Sequence, residues 1–304
     1  MALGLCFWLM CLPDAHCQST EHPFLRFIDR IAAAAKNKAE LIREAAMQRY
    51  VAALRTGSCE IRRKEILSKL PDAIRFAEYA HDIYINGHDR QMAKSGTRVL
   101  DLGKGRRAYR DPVGERYAEV RSEPGVNETV IVFRGTRPLV ETDLFTDLVQ
   151  HIGLESGYYE WAAALVARVA GEEPGEKIVV VGQSLGGGLA LYAVLRTPAV
   201  SAFVFNPAGI ASSVWMQASP ADRRRTNASV TVFSTRNSTQ IDPVTALSLS
   251  GASMIPGHIF VVESDATDPE KLHSSEGMLL ALQDLEVTSA RGAACEGDIG
   301  VLAE

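Results

Sequence analysis

Short runs of hydrophobic residues recur along the later two thirds of this chain, and longer stretches separate them. Such runs are typical of strands that are buried on both faces of a sheet. The predicted strands are 129–133, 178–181, 201–205, 229–233 and 258–263. The intervening stretches are long enough for the chain to cross over and return, and residues 156–170 have helical spacing. The pattern therefore predicts an α/β fold with a mainly parallel central sheet covered by helices.

The residues before this region follow a different pattern. Apolar spacing predicts a long helix over 24–54 and a short one over 58–70. Pro71 stands at a suitable first position for another helix, which continues to residue 85. Short alternating segments separated by glycine-bearing turns then predict strands at 97–101, 107–111 and 117–121.

These patterns suggest four parts along the chain. Residues 1–20 are either a leader peptide or an apolar tail, because the start is apolar but lacks a basic region and a good cleavage site. We expect residues 21–70 to form a helical extension, 71–290 the main α/β domain, and 291–304 a loose tail. The sequence leaves open whether the protein is exported.

The composition and charge of the chain argue against several classes of protein. The chain has 304 residues, of which 46% are hydrophobic, as expected for a full globular core. Its formal net charge of -5 argues against nucleic acid as a main partner. No apolar stretch reaches the roughly 18–20 residues that span a bilayer. The five cysteines have no zinc-type spacing, so we expect neither a metal site nor a readable disulfide framework.

The most informative motif lies between a predicted strand and a predicted helix. Gly182-Gln183-Ser184-Leu185-Gly186 follows the run 178–181 and precedes an apolar helix. A Gly-x-Ser-x-Gly turn in this context is the nucleophile elbow of an α/β-hydrolase. The glycines permit a sharp turn that exposes the serine hydroxyl, and the N–H of Leu185 is one oxyanion donor. An ordinary glycine-rich turn is the alternative.

A second motif closes the strand before the elbow unit. Phe133-Arg134-Gly135-Thr136 ends the run 129–133. Acyl transfer needs a second oxyanion donor from a loop after an earlier strand, and Thr136 fits that requirement. On its own, the motif would be a plain tight turn.

Chain order predicts the acid that would complete a Ser/Asp/His triad. In this fold the acid follows the second strand after the elbow strand, and the histidine comes later. Asp242 is the only carboxylate in the loop after 229–233. Asp265 and Asp268 follow the next strand and are better explained as turn residues.

Two histidines follow the acid in the chain, His258 and His273. His258 begins the strand 258–263, at its entry end. Active sites of parallel sheets lie beyond the carboxyl ends of the strands. His273 follows the strand by a loop that can bring it to Ser184, so we expect His273 to be the general base.

Together these motifs resemble the class 3 lipase family. The similarity rests on Phe133-Arg134-Gly135-Thr136 with Asp147, on the segment 181–188 around Ser184, and on the helical segment 75–84. It covers about 71–282. The resemblance implies an α/β-hydrolase fold, a Ser/Asp/His triad, no metal or other cofactor, and fatty-acid esters as substrates. Asp242-Pro243-Val244 also resembles the family's acid position.

One position departs from that family. Gln183 stands where the family usually has histidine. The position is not catalytic in the family, so the departure affects the substrate assignment rather than the chemistry.

The resemblance also suggests how substrate reaches the site. The family has a mobile lid just after the oxyanion loop. The apolar residues there are Leu139, Val140, Leu144 and Phe145. Trp215 is either a wall of the acyl pocket or an ordinary packed residue. A lid of this kind implies transient contact with a membrane or lipid surface.

The leading hypothesis is a serine hydrolase that cleaves carboxylic esters of lipids, of lipase or phospholipase A type, through an acyl-enzyme. An esterase or thioesterase for small acyl substrates would use the same groups. A non-catalytic protein that keeps the hydrolase fold for binding is the alternative from another class.

Overall fold

The computed structural model describes residues 59–111, 116–122, 125, 127–135, 156–248, 253–290 and 299–302. The helices are α1 (Cys59–Ile85), α2 (His88–Ser95), α3 (Ser156–Glu172), α4 (Leu185–Arg196), α5 (Ser212–Gln217), α6 (Pro220–Ser229), α7 (Pro243–Leu247), α8 (Pro269–His273) and α9 (Ser275–Ala290). The strands are β1 (Val99–Gly103), β2 (Arg106–Arg110), β3 (Tyr117–Ser122), β4 (Glu128–Phe133), β5 (Lys177–Gln183), β6 (Val200–Phe205), β7 (Ile210–Ala211), β8 (Val230–Arg236), β9 (Ser253–Met254), β10 (His258–Glu263) and β11 (Ile299–Leu302).

Within the described residues, nine strands form one sheet in the order β1-β2-β3-β4-β5-β6-β8-β10-β11. The five central strands, from β4 to β10, pair in parallel. The first four strands form an antiparallel meander that joins the parallel part through β4. This is an α/β-hydrolase fold, and it places the carboxyl ends of all five parallel strands at one edge.

Alternate residues of the central strands face two separate cores. Val180 of β5 packs in a cluster with α3 and α4 on one face of the sheet. Its neighbour Val181 packs in a second cluster with α1 and α9 on the other face. Because both faces are covered, the central strands consist of nearly continuous apolar residues.

The helix break predicted at Pro71 is wrong. A single helix, α1, runs from Cys59 through Pro71 to Ile85. Proline removes one backbone donor in mid-helix. Residues before and after it, Ile66 and Phe76 among them, pack in the same core, and this burial favours continuing the helix. The predicted domain boundary at residue 71 therefore falls within α1.

Residues 299–302 also differ from the predicted loose tail. Ile299–Leu302 forms β11, which pairs antiparallel with β10 at the sheet edge. A four-residue strand carries little local signal, and its pairing partner supplies the hydrogen bonds. The helix predicted over 24–54 lies outside the described residues. No helix in the described part of the chain is both long and apolar enough to cross a bilayer.

Candidate active site

Ser184 occupies a sharp turn between β5 and α4. Its backbone has φ 59° and ψ -128°, a conformation that L-residues with a side chain rarely adopt. Such strain persists only where the surrounding structure imposes it, and it is common at functional sites. The turn places Ser184 at the N-cap of α4, where the helix dipole is positive.

The two elbow glycines are required by close backbone contacts. A Cβ atom on Gly182 would lie 2.2 Å from the carbonyl oxygen of Gly186. A Cβ atom on Gly186 would lie 2.4 Å from the carbonyl oxygen of Phe133. Any larger residue would push the helix away from the strand ends, so both positions need glycine for packing.

Three side chains from distant parts of the chain meet at this turn. His273 Nε2 lies 2.8 Å from Ser184 Oγ. His273 Nδ1 lies 2.7 Å from Asp242 Oδ2. Ser184, His273 and Asp242 are 8%, 4% and 0% exposed, so this chain of hydrogen bonds is shielded from bulk water. Low local polarity strengthens each of these interactions.

Hydrogen bonds to both the backbone and the side chain of Asp242 hold it in place. Its N–H donates to the carbonyl oxygen of Thr235, at 2.8 Å. Its Oδ1 accepts a hydrogen bond of 2.7 Å from the N–H of Thr245 and so caps α7. Oδ2 is then left to face the imidazole of His273.

The rejected candidates lie elsewhere. His258 is exposed at the first position of β10, where it pairs with Thr231 near the start of β8. That is the entry edge of the sheet, opposite Ser184. Asp268 caps α8 by accepting a hydrogen bond from Lys271, and Asp265 is exposed in the loop before it.

Two tyrosines hold the end of β4 and the two residues after it, which lead to the predicted oxyanion donor Thr136. The N–H of Gly135 donates to the Tyr84 hydroxyl at 2.9 Å. The Tyr158 hydroxyl donates to the carbonyl oxygen of Arg134 at 3.1 Å. Burial raises the pKa of Tyr84 above its ordinary value, so this hydroxyl stays neutral. Neither tyrosine was identified from the sequence motif, because their contacts join distant segments.

Of the two predicted oxyanion donors, the structure describes Leu185 but not Thr136. Leu185 is the first residue of α4, so its N–H has no acceptor within the helix and points from the helix N-terminus. Thr136 lies outside the described residues, directly after Gly135. The four apolar residues of the predicted lid, Leu139, Val140, Leu144 and Phe145, also lie outside them.

Trp215 lies on α5 and is buried in the core cluster that includes α3 and α4. A role as a wall of the acyl pocket stays a prediction. Next to it is a cavity of about 620 Å³ whose described lining does not include Ser184, Asp242 or His273. Among the described residues, no group of three His, Cys, Asp or Glu side chains could hold a metal ion.

Three further polar residues lie around His273, and the sequence did not identify them as site residues. Gln183 is the last residue of β5, Asn206 directly follows β6, and Thr235 lies near the end of β8. All three are buried and hydrogen-bond to the backbone of Leu272 or His273. Apart from the departure from the family at Gln183, their position near strand ends was the sequence signal that could have found them.

Several solved structures are similar to the chain at low sequence identity. A mutant form of MDLA from Penicillium cyclopium is 16% identical, with a TM-score of 0.45, over 66% of this chain and 82% of that one. Lipase II from Rhizopus niveus is 14% identical, with a TM-score of 0.42, over 64% and 81%. A triacylglycerol lipase from Penicillium expansum is 17% identical, with a TM-score of 0.40, over 65% and 80%. No curated protein sequence matches the chain.

The family comparison is more direct. The model of the Tle-like phospholipase domain matches residues 82–255, more than half of the chain. The matched segment includes Ser184 and Asp242 and ends before His273. It confirms the resemblance to lipases and phospholipases that the two motifs indicate. The chain belongs to the family of Tle-like phospholipase domains, and it is a lipid ester hydrolase.

Proposed function

We propose that the protein cleaves carboxylic esters of lipids through an acyl-enzyme, with Ser184 as nucleophile, His273 as general base and Asp242 as the acid. The observation that carries this proposal is the unbroken chain of hydrogen bonds from Ser184 through His273 to Asp242. A serine hydroxyl is a weak nucleophile and needs such an adjacent base.

In the first half of the reaction, Ser184 Oγ attacks the ester carbonyl carbon and its proton passes to His273 Nε2. The carbonyl oxygen becomes an oxyanion, which the N–H groups of Leu185 and Thr136 stabilise. The tetrahedral intermediate then breaks its bond to the alcohol oxygen. The alcohol leaves with the proton from His273, and the acyl group remains on Ser184.

In the second half, water attacks the acyl carbon while His273 takes its proton. His273 then gives that proton to Ser184 Oγ as the second intermediate breaks its bond to this oxygen and releases the carboxylic acid. Throughout, Asp242 holds the imidazole in the tautomer that carries a proton on Nδ1, and it stabilises the imidazolium. The alternative of a small-acyl esterase or thioesterase would use these same steps.

The main test compares Ser184→Ala with Ser201→Ala in a phospholipid and triacylglycerol hydrolysis assay. Ser201 lies in β6 near the opposite edge, where its hydroxyl contacts the carbonyl oxygen of Ile178 at 3.4 Å. We expect Ser184→Ala to lower kcat by on the order of 10⁶-fold. Ser201→Ala should keep wild-type activity. Equal activity of the two variants would refute the serine assignment.

A fluorophosphonate probe separates an enzyme from a protein that retains only the fold. The probe phosphonylates an activated serine hydroxyl and releases fluoride. We expect wild type and His258→Gln to be labelled, and His273→Gln to be labelled far more slowly. A folded wild-type protein that does not react would favour the non-catalytic alternative.

Contact with a lipid surface is a further part of this proposal. It is supported by the apolar residues Leu139, Val140, Leu144 and Phe145 that follow the oxyanion loop in the sequence. Opening of an apolar lid toward lipid would raise activity on aggregated substrate. The test follows the rate on a short-chain ester as its concentration passes the solubility limit. A rate without any increase there would indicate an open esterase site.

A further inference from the structure

The proposed base is carried by a very short helix whose end is buried. His273 is the last residue of α8, which spans only Pro269–His273. The last carbonyl groups of a helix have no donors within it. Because Leu272 and His273 are buried, their carbonyl oxygens need partners from elsewhere in the protein.

Side chains from three neighbouring strand ends supply those partners. The carbonyl oxygen of Leu272 accepts hydrogen bonds from Thr235 Oγ1 at 2.6 Å and from Asn206 Nδ2 at 3.1 Å. The carbonyl oxygen of His273 accepts one from Gln183 Nε2. Two consecutive carbonyls are thus held by three buried side chains.

The orientation of the Asn206 amide follows from its neighbours. Its Oδ1 lies 2.9 Å from the N–H of Thr235, which can only donate. Its Nδ2 lies 3.1 Å from the carbonyl oxygen of Leu272, which can only accept. Asn206 also has φ 41°, a left-handed conformation that asparagine tolerates better than most residues.

Thr235 hydrogen-bonds to the main chain of Asp242 and to that of Leu272, the residue before His273. Its carbonyl oxygen accepts a hydrogen bond of 2.8 Å from the N–H of Asp242. Its hydroxyl donates to the carbonyl oxygen of Leu272, next to His273. One residue therefore binds the main chain on both sides of the 2.7 Å contact between His273 and Asp242.

We propose that Gln183, Asn206 and Thr235 are positioning residues that hold the main chain of Leu272 and His273 and so set the distance from the imidazole to Ser184. The inference rests on the proposed function, in which His273 is the general base. A histidine that is held both at its backbone and at its imidazole ring has little freedom left to lose during the reaction. Misplacement of a catalytic group by about 1 Å can lower the rate 100-fold. Gln183 would then act by holding the main chain of His273 rather than by binding substrate.

The test uses Thr235→Val, which keeps the shape of the side chain and removes its hydroxyl. Thr226→Val is the matched control, because Thr226 is equally buried and its hydroxyl donates to the carbonyl oxygen of Asp222 at 2.8 Å, in α6. For each protein we would measure kcat per fluorophosphonate-titrated site, KM, the rate constant of phosphonylation and the melting temperature.

We expect Thr235→Val to lower kcat and the phosphonylation rate about 10- to 100-fold with KM nearly unchanged. Thr226→Val should lose stability but keep kcat. If both variants lose stability alike and both keep kcat, the three residues are structural only and the inference fails.

A second variant keeps the inference testable if Thr235→Val does not fold. Gln183→Met retains the length of the side chain and removes the donor to His273, and it should also lower kcat more than KM. Wild-type kcat in folded Gln183→Met would overturn the proposal while Ser184 still reacts with the probe. Failure of the wild-type protein to react at all would instead overturn the proposed function.

Discussion

The hydroxyl of Tyr84 accepts a hydrogen bond of 2.9 Å from the backbone N–H of Gly135. The same hydroxyl lies 3.4 Å from the carbonyl oxygen of Gln183, to which it donates. Tyr84 belongs to α1, whereas Gly135 and Gln183 stand at the ends of the neighbouring strands β4 and β5. A single side chain therefore links the segment before Thr136 to the segment before Ser184.

We expect Tyr84→Phe to lower kcat about 10-fold and to change KM little. An unsatisfied buried N–H costs roughly 1–3 kcal/mol, and Gly135 would shift to regain a partner. Thr136, the next residue, would move with it. Kinetics on a soluble ester check this, with Tyr192→Phe as control, since the Tyr192 hydroxyl bonds to Glu160 instead. Unchanged kcat in folded Tyr84→Phe would contradict the coupling.

Asp242→Asn should lower kcat by about 10⁴-fold at nearly unchanged stability. An asparagine still accepts the hydrogen bond from Thr245 that caps α7, but it presents an N–H to the imidazole and so favours the wrong tautomer. Asp268→Asn is the matched control, because Asp268 caps α8 in the same way. Comparable losses in both variants would mean that capping, not catalysis, explains the effect.

Thr136→Ala should reduce kcat more than it raises KM. The backbone N–H survives the change, so the loss should stay below the roughly 10²–10³-fold cost of removing a whole oxyanion donor. The charge develops only in the transition state, which is why kcat carries the effect. Steady-state kinetics on a single soluble ester give both constants. An effect confined to KM would exclude an oxyanion role for this side chain.

Gly186→Ala should destabilise the protein by about 1–3 kcal/mol and remove most activity. The added methyl group would lie 2.4 Å from the carbonyl oxygen of Phe133, so α4 and the serine must shift. Gly171→Ala is the control, since a Cβ there would meet no atom within 4 Å beyond the neighbouring backbone of its own helix. In α3 that change should stabilise slightly. Denaturant unfolding measures both, and equal behaviour of the two variants would count against the packing argument.

Glu119 should make stability depend on acid pH. Burial alone raises the pKa of this carboxyl, but hydrogen bonds from Tyr117 and His88 and the charge of Arg121 outweigh it, and lower the pKa from 4.5 to about 2. A lowered pKa stabilises the folded state above pH 4.5, and this contribution is lost as the pH falls toward 2. Its size is roughly 3 kcal/mol, at about 1.36 kcal/mol per pKa unit.

The measurement compares the free energy of unfolding of wild type and Glu119→Gln between pH 6 and pH 3. Glutamine does not titrate, so the variant should lose less stability over this range, although it is less stable at pH 6. Parallel pH curves for the two proteins would show that Glu119 titrates normally in the folded state.

The local features of the fold could be predicted from the sequence. The central strands and the elbow turn depend on neighbouring residues, so apolar runs and glycine spacing were sufficient. Chain order and sheet polarity also led to His273, which the structure brings into contact with Ser184, and to Asp242, which contacts His273. These rules work because the topology of a parallel sheet determines which loops share an edge.

Only the tertiary structure decided the features that depend on distant partners. Helix α1 continues through Pro71 because packing on both sides outweighs one lost hydrogen bond, and the short strand β11 forms because β10 offers it a partner. The hydrogen bonds of Tyr84, Asn206 and Thr235 likewise form only when segments far apart in the chain are placed to within a few tenths of an ångström. Residue type and local spacing do not determine such positions. A buried polar group forms its hydrogen bonds with whichever segment the completed fold brings to it.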